Sequence, residues 1–172
     1  MSSKALKLIF RFILLLILQI LICNHIYLFG FLNPNIYLLA LLLLPLDLPL
    51  SVQYIIAFFT GLVVDAFQMT FGIHASAALL MVAVRPYIIL ALNVNKKQLA
   101  TEVPLPGRRD FKWLLSYTLL LVFVHQTLTT MLELWSFHRF GITLLTIMGN
   151  TLFTTLIILC AEYLCFPSKT NN

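Results

Sequence analysis

The sequence predicts an all-α integral membrane protein, a bundle of about six transmembrane helices with almost no soluble domain. Three observations lead there. Of 172 residues, 61% are hydrophobic and 10% charged, with a mean hydropathy of +0.99, whereas a soluble domain carries about 25% charged residues. The apolar residues gather in runs close to the ~20 residues of helix that cross a hydrocarbon core of ~30 Å. Those runs are leucine-rich and lack the period-two alternation of a transmembrane barrel strand. So little chain is left between them that residues 1–172 are expected to form one bundle.

The first span is expected from Leu8 to Leu28, behind Lys4, Lys7 and Arg11. Basic residues before an apolar run also open a signal peptide. Here the run continues to Phe31 with no small-x-small cleavage site, and Ile22 is too bulky for lipoprotein processing before Cys23, so an uncleaved helix is expected. Asn33, Pro34 and Asn35 break the chain, and a short second span follows from Ile36 to Leu48. Pro45, Asp47 and Pro49 end it in a tight turn, because proline lacks the amide donor and restricts the residue before it. A third span from Val52 to Met69 and a fourth from Ile73 to Leu92 form a hairpin. After a basic loop, Asn93 to Arg109, come a fifth span from Phe111 to Trp135 and a sixth from Ile142 to Phe166.

The net charge is +5, but orientation follows from where Lys and Arg lie, since cytoplasmic loops are enriched in them. With six spans and a cytoplasmic N-terminus, Lys4, Lys7, Arg11, Lys96, Lys97, Arg108, Arg109, Lys112 and Lys169 all fall at the cytoplasmic side, leaving Arg139 outside. Both termini and the loop at 93–109 are then cytoplasmic. Tyr27, Phe31, Tyr37, Trp135, Phe137 and Phe140 are expected in an outer aromatic belt, and Tyr54, Trp113, Tyr163 and Phe166 in an inner one. The loop, with Glu102, Pro104 and Pro106, reads either as a solvated connector drawn to anionic headgroups or as a docking site for a cytoplasmic partner.

A charge in mid-span costs about 3 kcal/mol on insertion scales, so each such residue needs a reason. Gly61, Asp65, Gln68 and Gly72 follow one another at helical spacing and share one face. Glycine there admits a neighbouring helix, and the polar groups bond across the contact. Asp65 reads as a structural clamp or as a proton- or substrate-linked carboxylate. Arg85 is its candidate partner, although ~10 Å of helix rise separates their depths; Pro86, next in sequence, can free a carbonyl for the guanidinium. His125, Thr129 and Glu133 mark one face of the fifth span, and Thr143, Thr146, Asn150 and Thr154 one face of the sixth. The two spans are expected to pack by these faces.

Catalytic and metal chemistry find little support. Ser116 and His125 do not share a helical face, and Asp65 has no evident second carboxylate. His25, His74, His125 and His138 fall in the outer half without ligand spacing or an HExxH pattern, so interfacial histidines and no metal or cofactor are expected. Cys23, Cys160 and Cys165 lack metal spacing and read as small packing residues.

One stretch carries a resemblance. The Pro-x-Asp-x-Pro turn of Pro45, Asp47 and Pro49, then Gly61 and Asp65, then Gly72, Ile73, His74 and Ala75, and finally Arg85, Pro86 and Tyr87 resemble the MreD family of rod shape-determining proteins. The motif covers the central hairpin; length, span count and basic loop match along the whole chain. The resemblance implies a non-enzymatic component of the bacterial inner (cytoplasmic) membrane, part of the cell-elongation complex that builds lateral peptidoglycan and maintains cell shape. Its implied partners are MreC, the actin-like MreB and the elongation-specific wall synthase and transpeptidase. It also implies a bundle similar to the substrate-binding subunits of energy-coupling-factor vitamin transporters. That transporter class is the alternative function. Such a subunit needs small residues on its first helix to dock its motor, and Leu14, Leu15, Leu16, Ile17 and Leu18 offer none.

Overall fold

The computed structural model describes residues 3–26, 32–92, 110–134 and 140–165. Every extended element among them is helical: α1 (Ser3–Leu21), a 3-10 turn (Cys23–His25), α2 (Leu38–Leu42), α3 (Leu50–Gln68), α4 (Ile73–Leu92), α5 (Phe111–Leu134) and α6 (Phe140–Cys165). The four helices α3 to α6 are long and apolar enough to cross a membrane. The expected loop at 93–109, Tyr27, Phe31, Trp135, Phe137, His138, Arg139 and Phe166 lie outside the described residues.

Contacts between elements fix the directions. With the start of α1 at the bottom, its upper end meets the upper end of α3, where Gln68 Nε2 donates to Asn24 Oδ1 at 2.8 Å. A four-residue turn reverses the chain into α4. At its start Met69 takes the left-handed conformation (φ 57°) and donates its amide to the Asp65 carbonyl; at its end Gly72 has φ 80°, a region that glycine enters without the Cβ penalty. α5 rises beside α4: Tyr117 lies level with Arg85, and His125 with His74. α6 descends beside α5, tied by Gln126 Nε2 to Thr154 Oγ1 at 3.2 Å and by the Phe111 and Tyr163 rings at 6.1 Å. At the bottom the Arg11 charge of α1 acts on Glu162 of α6.

Close approach of α3 and α4 is built on small residues. A Cβ on Gly61 would collide with the Cα and amide nitrogen of Ala75 and the carbonyl carbon of His74. Ala57, Val64, Ala75 and Ala78 fill the same buried seam. Without a hydrophobic force between helices in lipid, such backbone proximity and the dispersion it permits drive association.

The second span differs from the expected helix over Ile36–Leu48. Only the five residues Leu38–Leu42 are α-helical, ~8 Å of rise. The chain from Asn33 to Leu48 nonetheless descends through the bundle, passing Asn150, Thr154, His125, Tyr117 and Gln53 in turn. It is a broken crossing, buried on all sides: from Tyr37 to Leu44 no residue is more than 4% exposed. Prolines at 34, 45 and 49 forbid one continuous helix. Irregular backbone inside an apolar bundle needs partners from the protein, and side chains of other elements supply them to the Asn33, Asn35 and Tyr37 amides and to the Pro34, Leu42, Leu44 and Leu48 carbonyls.

Candidate functional site

Three groups of buried polar side chains serve backbone that a plain helix would have satisfied itself; Thr118, Thr151, Thr155 and Glu162 are buried outside them. At the top is Asp65. It does not pair with Arg85, the partner that the hairpin suggests. Its Oδ1 accepts from Thr70 Oγ1 (2.5 Å), from the His74 amide (3.0 Å) and from His74 Nδ1 (3.2 Å), while Oδ2 accepts from the Ala75 amide at 2.9 Å. Asp65 therefore caps α4 from the preceding helix. The first amides of a helix have no internal acceptor and carry its positive dipole end, so a carboxylate there removes two unmet donors at once. Gln68, on the same face, turns instead to Asn24 of the loop after α1.

Beside this cap lie two buried histidines, a departure from the interfacial placement expected for both. The His74 and His125 rings stand 6.1 Å apart, and the Tyr37 ring packs edge-on to both. The proton positions follow from the neighbours. Thr129 Oγ1 donates to the His125 carbonyl at 2.9 Å and so faces His125 Nδ1 (3.4 Å) as acceptor. Nδ1 then carries the proton, and the Tyr37 hydroxyl donates to Nε2 at 2.7 Å. Tyr37, expected in the outer aromatic belt, is fully buried at 0% exposure and ties the broken crossing to α5.

The second group holds the upper part of the broken crossing. Asn150 Oδ1 accepts from the Asn33 amide (2.9 Å), Thr154 Oγ1 from the Asn35 amide (3.3 Å) and Gln19 Oε1 from the Tyr37 amide (3.3 Å). Gln19 Nε2 donates to the Pro34 carbonyl at 3.2 Å. The polar face of α6 thus serves the crossing as well as α5, to which Thr154 is tied through Gln126. Thr146 lies apart and donates to its own helix at Ile142.

The third group centres on Arg85, 1% exposed. Nη2 donates to the carbonyls of Leu42 (3.1 Å) and Leu44 (2.5 Å), Nη1 to Gln53 Oε1 (2.8 Å) and Nε to the Tyr117 hydroxyl (2.7 Å). The Tyr117 hydroxyl in turn donates to the Leu42 carbonyl at 3.1 Å, and Gln53 Nε2 to the Leu48 carbonyl at 2.8 Å. A cation at the C-terminal end of α2 meets the negative end of its dipole. The carbonyls that Arg85 satisfies belong to the broken crossing, where the sequence pointed to a carbonyl freed by Pro86.

The turn of Pro45, Asp47 and Pro49 sits below this network, with Asp47 exposed. Cys23 is buried and Cys160 exposed on α6. Among the described residues no cluster of His, Cys, Asp and Glu is arranged to hold a metal. Gln19, Gln53 and Gln126 are the functional side chains that reading by charge overlooks; each is an amide in mid-span, and its burial in lipid demands a partner as an acid does. No family model, curated protein or solved structure matches this chain.

Proposed function

We propose that the chain is a non-catalytic scaffold of the bacterial inner membrane that holds the cell-elongation complex together, in the manner of the MreD family it resembles. The observation that carries this reading is the use of its central hairpin. Gly61, Asp65, Gly72 and Arg85, on which the resemblance rests, serve as joints: a close helix contact, a helix cap, a left-handed turn and an anchor for the broken crossing. A bundle whose Asp65 and Arg85 charges are engaged by its own backbone is suited to presenting a fixed outer surface to partners. In this reading the basic residues at 4–11, 96–112 and 169 face the cytoplasm. MreC is the direct partner proposed, with MreB and the wall synthase and transpeptidase engaged directly or through it.

Depletion combined with co-purification tests the proposal. Rod-shaped cells are expected to round up on depletion, and tagged protein to bring MreC with it. Cells that keep their shape, or recovery with a transport ATPase in place of MreC, would sink the scaffold role.

A further inference from the structure

The Arg85 network borders a cleft of about 220 Å³ that none of the joints explains. Gln53 and Arg85 line it as polar groups; Leu46, Leu48 and Leu50 wall it from the turn between α2 and α3, and Pro86 and Ile89 from α4. Asp47 stands between two of these leucines but is not among the lining residues.

Three features give the cleft its chemistry. The guanidinium of Arg85 is hydrogen-bonded only to neutral acceptors, and no carboxylate among the described residues pairs with it. A buried positive charge whose direct partners are dipoles attracts an anion more strongly than the same charge in water. Leu50, at the rim, is also the first residue of α3, so the positive end of that helix dipole lies at the same cleft. Finally, Arg85 stands seven residues above the end of α4 at Leu92, about 10 Å along the axis, and so within reach of the headgroups at the lower membrane face.

We infer that this cleft binds the anionic phosphate headgroup of a membrane lipid, with the phosphate toward Arg85 and Gln53 and the acyl chain leaving over the leucine wall. A charged floor beneath apolar walls matches an amphiphile better than a free anion, which would leave those walls against water. The inference does not depend on the scaffold role.

The test is native mass spectrometry of the full-length protein in detergent, titrated with phosphatidylglycerol, with phosphatidylcholine of the same acyl chains, and with inorganic phosphate. Phosphatidylglycerol is expected to bind one per chain, and Ile89→Trp, which adds bulk to the cleft wall, to weaken it about tenfold. Ile55→Trp on the lipid-facing side of α3 serves as control and should leave binding unchanged. Melting temperature verifies that Ile89→Trp is folded, and Leu48→Trp replaces it if not. Equal retention of the two lipids, or undiminished phosphatidylglycerol on a folded cleft-wall variant, overturns the inference. Displacement of the lipid by an equal concentration of inorganic phosphate overturns the assignment to a lipid.

Discussion

Asp65 and Arg85 show how differently two intramembrane charges can be satisfied. The Asp65 carboxylate accepts bonds from two amides, a hydroxyl and an imidazole, all of them donors, so both of its oxygens must accept. Asn at this position keeps one oxygen and turns two hydrogens toward the Ala75 amide or its neighbours. Asp65→Asn is therefore expected to destabilise the protein by about 1–3 kcal/mol, the cost of leaving a buried donor unmet. Thermal unfolding of the purified chain in micelles measures this, and a variant as stable as wild type refutes the cap. For Arg85 the geometry of the donors matters more than the charge. Its acceptors lie around a planar fork, and a lysine ammonium concentrates three donors at one point. Arg85→Lys is expected to lose most of its bonds to Leu42, Leu44, Gln53 and Tyr117 and to unfold at distinctly lower temperature; equal melting would show that charge alone suffices. That both residues matter was legible in the sequence, because a charge in a leucine-rich run is costly wherever it points. Their partners were not legible, since four of the groups involved are backbone atoms outside the residue's own helix.

At the scale of elements, the last four spans were readable and the first two were not: the first, expected over Leu8–Leu28, has its α-helix at Ser3–Leu21. Hydropathy placed the fourth span at Ile73–Leu92, where α4 lies, and the fifth and sixth to within two residues at each end. Continuous apolar runs leave the helix as the only way to satisfy the backbone in lipid. Between Asn33 and Pro49 the same apolar content hides a broken crossing, because its missing hydrogen bonds come from Gln19, Asn150, Thr154 and Arg85 on other elements. The polar residues of α1 and α6 are the trace of that arrangement in the sequence. Asn150→Leu should accordingly destabilise the bundle by about 1–3 kcal/mol through the orphaned Asn33 amide, whereas Thr146→Val, which removes only a bond within α6, should be close to neutral. If the two behave alike in denaturant unfolding, the crossing does not rely on α6. At the α3 and α4 seam the constraint is steric. Gly61→Ala places a methyl against the backbone of Ala75 and His74, which cannot yield as a flexible side chain would, and overpacking of this kind costs about 1–3 kcal/mol.

Across the whole molecule, the broken crossing preserves an even count. α1 ascends, the segment from Asn33 to Leu48 descends, α3 ascends and α4 descends, so the start of α1, the two ends flanking 93–109 and the end of α6 share one face of the bundle. Had that segment looped back to the top, α3 would descend and the basic cluster near Lys96 would lie opposite Lys4 and Lys7, against the bias of Lys and Arg toward the cytoplasm. The charge pattern predicts an even number of crossings before the loop at 93–109, and the path of Asn33 to Leu48 through the bundle is compatible with that expectation. In a background lacking Cys23, Cys160 and Cys165, single cysteines at Ser3, Lys97 and Lys169 are expected to react with a membrane-impermeant maleimide only after the membrane is opened, and one at Phe71, in the turn above α3, in intact spheroplasts. Labelling of Ser3→Cys and Phe71→Cys from the same side would require the crossing to reverse within the bundle. Arg85 and Gln53 would then stand away from the carbonyls they bond, so such a result would overturn the anchor as well as the orientation.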